Sequence, residues 1–199
     1  LRLIDDIVWK RDADMRELFT ADYTFVDDQL AGVYGVDPPG GFVAMSLPPE
    51  QRRAGFLGHA SWLARFSHPA STSPTRRGLF VRTALMCEEI PPPPPGVDTN
   101  LPEPDPSVPQ TKKQQLAQHQ EDPNCSSCHK LIDNIGLALE NYDTLGAFRL
   151  EDAGQTIDSQ MDVDDLGSIA SAVDLADALA ADERTTRCMM LNLFRGSMG

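Results

Sequence analysis

The chain has 199 residues, of which 41% are apolar, enough to fill one large core or two small ones and too many for a wholly disordered protein. Its formal net charge of −13 argues against nucleic acid and anionic membrane surfaces, because both attract basic surfaces. No apolar run approaches the roughly 20 residues of a membrane-spanning helix. The chain starts at Leu1 without a signal-peptide pattern, so we expect it to be a piece of a longer protein.

The first half of the sequence has mainly helical patterns. Residues 1–36 are predicted to be helical, because apolar residues recur at spacings of three and four, and the last helix should stop at Gly35. Residues 42–49 are compatible with a strand or a loop. A second helical stretch is predicted over Glu50–Phe66, and a third over Ser73–Cys87, where a serine N-cap is followed by a proline.

A proline-rich segment at residues 91–109 divides the sequence into two parts. Its run of consecutive prolines excludes a helix or a central strand and predicts polyproline II. We interpret it as a stiff spacer or surface strap, with a ligand for proline-reading modules as the alternative. It would separate an N-terminal helical domain, residues 1–90, from a C-terminal domain, residues 110–199.

Helical patterns return after the prolines, with one interruption. The predicted helices cover residues 111–122, a stretch from Pro123, and residues 135–146, 166–181 and 183–195. Between them, residues 148–158 predict a short two-stranded excursion with its turn at Ala153-Gly154. The sequence shows no internal repeat, and we predict a mainly α protein with little sheet.

The most informative motif is Cys125-Ser-Ser-Cys128-His129. A structural zinc site usually needs a second close pair of ligands, which this sequence lacks, and a thioredoxin-like dithiol usually follows a strand in a βαβ unit. A chance occurrence of the pattern stays open as well. The favoured interpretation is covalent attachment of a c-type haem.

The spacing of this motif has a mechanical reason if it holds haem. On one helical turn, Cys125 and Cys128 lie on the same side and each can form a thioether with one vinyl group, while His129 offers its imidazole to the iron as proximal ligand. Haem is attached in this way outside the cytoplasm, so the motif predicts an extracytoplasmic protein, periplasmic or secreted.

Three segments together resemble the planctomycete-type cytochrome c proteins, which are secreted bacterial chains of consecutive domains of unknown function. The segment PNCSSCHKLIDNIGLALENYDTLGAFR is similar to their C-terminal haem segment, and SHPASTSPTRRGLFVRTALMCEEIPPPPPGVD is similar to the middle domain. Residues 1–36 resemble the tail of the preceding domain. The family often has Asp-Pro where this chain has Asp133-Asn134. The resemblance implies an extracytoplasmic haem c protein but no particular substrate.

A six-coordinate haem would need a distal ligand, methionine or histidine. Met161, in the polar segment DSQMDVD, is predicted to lie in a loop without a core role and is the first candidate; His68, in a turn-like segment, is the second. Weaker candidates are Met189, Met190, Met198, His59 and His119. An open sixth position stays an alternative.

The two remaining cysteines, Cys87 and Cys188, are predicted to form a disulfide, because the haem motif already places the chain where thiols oxidise. Two buried thiols are the alternative. A bridge across about 100 residues would constrain the unfolded chain by up to about 4.7 kcal/mol in the entropy model.

The sequence therefore predicts a cytochrome-c-like haem domain packed on a helical partner domain. We expect one-electron transfer by a mono-haem c-type cytochrome, with Leu137, Leu139 and Tyr142 excluding water, and a redox partner with a basic patch. The alternatives are a haem enzyme with an open distal site, peroxidase-like, or the electron-accepting subunit of an oxidoreductase, or else a structural or interaction module with a zinc or haem site. Whether the chain is an enzyme stays open.

Overall fold

The computed structural model describes residues 1–92, 108–121 and 123–198, which form helices and three small two-stranded antiparallel sheets. The predicted mainly helical class is confirmed. Most of the proline-rich segment, residues 93–107, lies outside the described residues, so its predicted polyproline II conformation stays a prediction.

The N-terminal segment mixes short helices with a hairpin-like sheet. Its elements in chain order are α1 (Arg2–Ile4), a π-helical segment (Asp5–Lys10), α2 (Glu17–Thr20), β1 (Tyr23–Val26), α3 (Asp28–Tyr34) and β2 (Val43–Ser46). The two strands pair antiparallel, with Tyr23 opposite Ser46. The wholly helical prediction for residues 1–36 is therefore wrong at β1, where aromatic and β-branched residues favour a strand.

The helix α3 ends at Gly35 as predicted, and a side chain caps its first turn. The carboxylate of Asp27 accepts hydrogen bonds from the backbone N–H groups of Gln29 and Leu30, at 3.1 and 2.9 Å, and caps the first turn. Gly35 ends the helix in the left-handed conformation, with φ of 63°, which glycine adopts without a Cβ penalty.

The helix predicted over residues 50–66 is wrong in its first half. That stretch contains two 3₁₀ turns, Pro49–Gln51 and Phe56–Gly58, and only then the short α4 (Ala60–Arg65). Gly55 has φ of 47° and lies so close to the backbone of Leu18 that an added Cβ would overlap its carbonyl oxygen. A tertiary backbone contact therefore overrides the local helical pattern.

The helix α5 (Pro74–Phe80) confirms the predicted start at Ser73, whose hydroxyl accepts a hydrogen bond from the N–H of Arg76. It continues as a π-helical segment (Val81–Leu85). After the proline-rich segment, α6 (Lys112–Glu121) and α7 (Pro123–Leu137) confirm two further predicted helices.

The chain leaves α7 in turns rather than in the helix predicted over residues 135–146. The carboxylate of Asp143 accepts hydrogen bonds from the N–H groups of Leu145 and Ala147, at 2.8 and 2.9 Å. Aspartate side chains compete with helical hydrogen bonds in this way. Next, β3 (Glu151–Asp152) and β4 (Gln155–Thr156) confirm the two-stranded excursion around Ala153-Gly154.

The C-terminal segment contains β5 (Met161–Val163), β6 (Gly167–Ile169), α8 (Ala172–Ala181) and α9 (Glu183–Met198). The helix predicted over residues 166–181 is wrong at its start, which pairs with β5. It begins instead after Ser171, whose hydroxyl accepts from the N–H of Asp174 while the Asp174 carboxylate accepts from that hydroxyl. This reciprocal capping fixes the start of α8.

The main hydrophobic core draws residues from both sides of the proline-rich segment. Phe19 and Leu63 from the first half belong to one buried cluster with Leu116, Ile135 and Leu179 from the second. The domain boundaries at residues 90 and 110 stay a prediction. Within the described part of the chain, no helix has both the length and the apolar character to cross a membrane.

Candidate haem-binding site

The helix α7 presents the cysteine–histidine motif within its first two turns. It starts at Pro123, a residue type favoured at the first helical position. Cys125 and Cys128 are both half-buried, and their spacing of three residues places them on neighbouring positions of one side of the helix. His129 lies four residues after Cys125 and shares that side.

The imidazole of His129 is held by a carboxylate one turn further along α7. Its Nδ1 lies 2.9 Å from Oδ2 of Asp133. The side chain of His129 is 22% exposed, whereas that of Asp133 is fully buried. A buried carboxylate needs hydrogen-bond donors, and the hydroxyl of Thr75 donates a second hydrogen bond to Oδ1 of Asp133, at 2.8 Å. His129, Asp133 and Thr75 thus form one connected polar chain.

The hydrogen bond to Asp133 raises the pKa of His129 above its usual value, and partial burial of the ring opposes this shift. The same contact decides how the ring can bind a metal. An ionised carboxylate accepts a hydrogen bond from Nδ1–H, so Nε2 is the ring nitrogen that would coordinate iron.

The close crossing of α5 and α7 brings Thr75 to Asp133. An added Cβ at Gly78 would overlap the carbonyl oxygen of Ile132, and one at Gly136 would overlap the carbonyl oxygen of Pro74. These two glycines let the helix backbones touch at both ends of the contact. The N-terminal half of the chain therefore helps to build the site on α7.

Two buried arginines strengthen the same helix contact. Arg77, which is fully buried, donates to the carbonyl oxygen of Leu139 at 2.9 Å, just after the end of α7. Arg82 donates through Nε to the carbonyl oxygen of Leu131 at 3.0 Å. The guanidinium groups donate to one carbonyl oxygen within α7 and to another two residues beyond its end, so they hold this helix against α5 and the π-helical segment that follows it.

The residues on α7 fit a covalently attached haem. The two cysteines and the histidine share one side of one helix, and the histidine already has the hydrogen bond that orients a metal-binding imidazole. Among the described residues, no group of three or more histidine, cysteine, aspartate or glutamate side chains is arranged to hold a metal ion.

The two predicted distal ligands lie in different surroundings. Met161 opens β5, is 6% exposed and belongs to the main hydrophobic core. The expectation that it lies in a loop without a core role is therefore wrong, because alternate residues of β5 face the core. His68 is exposed in a turn, where its N–H donates to the carbonyl oxygen of Ser71 at 2.8 Å. The ligand role of either residue stays a prediction.

The weaker distal candidates also differ in burial. Met189 packs partly against the core, whereas Met190 and Met198 are exposed. His59 is not an ordinary polar-face residue, because its Nε2 is buried and has no hydrogen-bond partner among the described residues. Burial lowers the pKa of His59 to about 4. The side chain of His119 lies outside the described residues.

The predicted disulfide between Cys87 and Cys188 is confirmed, with an S–S distance of 2.05 Å across a sequence separation of 101 residues. It joins Cys87, two residues beyond the π-helical segment that follows α5, to the first half of α9. The bridge is consistent with an oxidising compartment.

An ion-pair cluster lies beside this bridge and was not predicted. Arg82, only 1% exposed, contacts both carboxylate oxygens of Asp165 at 2.6 and 2.7 Å. The guanidinium group of Arg184 donates to the carboxylate of Asp165 at 2.6 Å and to that of Glu88 at 2.7 Å. The hydrogen bonds from Arg82 and Arg184 hold the pKa of Asp165 well below its usual range despite partial burial. The cluster ties α9 to the turn between β5 and β6.

Sequence reasoning found the three motif residues but missed the two that support them. Asp133 follows His129 by four residues, a spacing at which helical side chains meet, so this pair was detectable in the sequence. Thr75 carried no such signal. It reaches Asp133 only through the packing of α5 on α7, which a single sequence does not reveal.

Residues 53–152 match the PSCyt3 family, described as a protein of unknown function (DUF1588). Residues 1–36 match the PSD4 family, described as a protein of unknown function (DUF1592). The chain belongs to the PSCyt3 family, one of the planctomycete-type cytochrome families, and the predicted resemblance is confirmed. The matched stretch includes both α5 and the motif on α7. No curated protein and no solved structure shows significant similarity to the chain.

Proposed function

We propose that this chain is a mono-haem c-type cytochrome domain that transfers single electrons as part of a larger extracytoplasmic protein. The observation that carries the proposal is the His129–Asp133 hydrogen bond of 2.9 Å, one helical turn from two half-buried cysteines. Membership of a cytochrome-like family supports the same conclusion. A cytochrome-c-like fold of residues 110–199 is part of the proposal.

Each motif residue has a distinct task in this proposal. Cys125 and Cys128 would bind haem c through two thioether bonds, and His129 would bind the iron through Nε2. A haem bound in this way supplies reversible one-electron chemistry at its iron. Asp133 keeps the imidazole ring in one orientation. Leu137, Leu139 and Tyr142, at most 3% exposed, belong to the apolar core that would keep water from the site.

The compartment and the partner follow from two further features. The Cys87–Cys188 bridge favours a periplasmic or secreted location, because thiols there are oxidised. The formal net charge of −13 favours a redox partner with a basic patch, since complementary charge speeds the encounter of two proteins.

A second candidate function is a haem enzyme with an open sixth position, peroxidase-like, or the electron-accepting subunit of an oxidoreductase. The burial of Met161 in the main core favours this alternative over Met161 ligation, because it gives the side chain a packing role that does not depend on iron. A low-spin spectrum would support electron transfer, and a high-spin ferric spectrum that shifts with cyanide would support the open site.

Absorption spectra of motif variants test the proposal. The chain is produced in a secreting host that attaches c-type haem, and the denatured protein is examined for covalently bound haem. Wild type should carry one haem, Cys125→Ala and Cys128→Ala should each lose at least one thioether, and the double variant should retain no covalent haem. The matched control is Cys87→Ser with Cys188→Ser, which removes the same number of cysteines outside the motif.

The control variant should keep its covalent haem. Equal loss of haem in the control and in the motif double variant would show that the cysteines act only through folding. Wild-type protein without any haem would contradict the proposed function directly.

A further inference from the structure

The buried carboxylate beside the proposed iron ligand has a consequence that the cysteine–histidine motif does not contain. The side chain of Asp133 is completely buried, so neither solvent nor ions at the surface reach its carboxylate. A buried carboxylate is expensive unless it is paired and hydrogen-bonded. Its two oxygens have separate partners, Nδ1 of His129 at 2.9 Å and the hydroxyl of Thr75 at 2.8 Å. The charge is therefore directed at the imidazole.

We propose that Asp133 is a positioning residue that sets the reduction potential of a haem bound through His129. This inference rests on the proposed function. A carboxylate that accepts a hydrogen bond from Nδ1–H makes the imidazole a stronger electron donor through Nε2. Stronger donation favours ferric over ferrous iron, so Asp133 keeps the potential low.

Thr75 modulates the same effect from α5. Its hydroxyl donates to Oδ1 of Asp133 and draws negative charge away from the oxygen that faces His129. Loss of this hydroxyl leaves the carboxylate a stronger acceptor of the hydrogen bond from Nδ1–H. Asp133 and Thr75 therefore act on the potential with opposite signs, which general damage to the fold would not produce.

Reduction potentials of haem-loaded variants test this inference. In Asp133→Asn the shape of the side chain is kept and the charge is lost, and we expect the potential to rise by at least about 59 mV, a tenfold change in the equilibrium constant of a one-electron couple. Thr75→Val should shift the potential downward by a smaller amount. The control, Asp177→Asn, removes one charge from an exposed position of α8 and should shift the potential least.

If the sixth position is open, a second readout is the iron–imidazole stretching vibration of the five-coordinate ferrous haem, which should fall in frequency in Asp133→Asn as donation weakens. If Asp133→Asn does not accumulate with haem, the reduction potential of Thr75→Val tests the inference: a downward shift supports it, and no shift contradicts it. If the potentials of Asp133→Asn and Thr75→Val both shift by no more than that of Asp177→Asn, the inference is overturned while the proposed function stands. Wild type without covalent haem would instead overturn the proposed function.

Discussion

His129 and His59 have pKa values displaced in opposite directions, for opposite physical reasons. A carboxylate hydrogen bond raises the pKa of His129, and burial lowers that of His59 to about 4. The same side chain thus serves as a candidate ligand in one place and as a neutral buried group in the other.

The low pKa of His59 predicts a loss of stability in acid. Its folded pKa of about 4 lies below the reference value of 6.5, so the unfolded chain binds the extra proton first. The contribution of neutral His59 to the free energy of unfolding is complete above about pH 6.5. It falls by up to about 3 kcal/mol as the pH drops toward 4. His59→Asn places a residue type favoured at the N-cap before α4, where His59 makes no capping hydrogen bond, and should flatten this decline.

Urea unfolding at about pH 4.5 and about pH 7.5 measures the effect. His68→Asn is the control, because His68 is exposed in a turn, and it should change the pH dependence much less. A wild-type pH dependence in His59→Asn would rule out His59 as its source.

The arrangement of helices depends on the contact between α5 and α7. Gly78 and Gly136 lie on the touching faces and let two backbones approach, and Thr75 reaches Asp133 across the same contact. The contact therefore couples the stability of two helices to the geometry of the candidate site.

Gly78→Ala should destabilise the chain, although alanine favours a helix more than glycine does. The new Cβ would overlap the carbonyl oxygen of Ile132, and overpacking of this kind typically reduces the free energy of unfolding by about 1–3 kcal/mol, occasionally more. Gly196→Ala is the matched control, because no atom lies within 4 Å of its added Cβ in α9. Chemical denaturation compares the two, and equal stability of both variants would refute the close contact.

Elements with strong local signals were predictable. The capped starts of α3 and α5, the motif helix α7 and the turn at Ala153-Gly154 follow from side chains within a few residues. The failures lie where distant groups decide. The strand β1 needs its partner β2, and the chain around Gly55 follows a contact with Leu18.

The candidate site divides in the same way. The motif residues could be predicted from their spacing alone, and Asp133 from its helical spacing to His129. Thr75 could not, because α5 lies far from α7 in sequence and meets it only in the folded chain.

At the scale of the whole molecule, the Cys87–Cys188 bridge joins segments on both sides of the proline-rich segment. The ion pairs among Arg82, Asp165 and Arg184 reinforce the same junction. Because Arg82 also contacts the backbone of α7, this junction is continuous with the helix that bears the motif.

Removal of the bridge by Cys87→Ser with Cys188→Ser should reduce the free energy of unfolding by about 2–5 kcal/mol. The physical reason is that the bridge limits the freedom of the unfolded chain across 101 residues. Denaturant unfolding gives the size of the change. Wild type treated with a thiol reductant should match the double variant, because thioether bonds to haem resist such reduction; an unchanged stability in both would refute a stabilising bridge.

The central claim is that Cys125 and Cys128 bind haem covalently and that His129 ligates its iron. The most direct test is the intact mass of the wild-type chain secreted by a host that attaches c-type haem, followed by the mass of the peptide that contains both cysteines. The account predicts the polypeptide mass plus one haem, with the added mass on that peptide. A colourless protein with the mass of the polypeptide alone would contradict it.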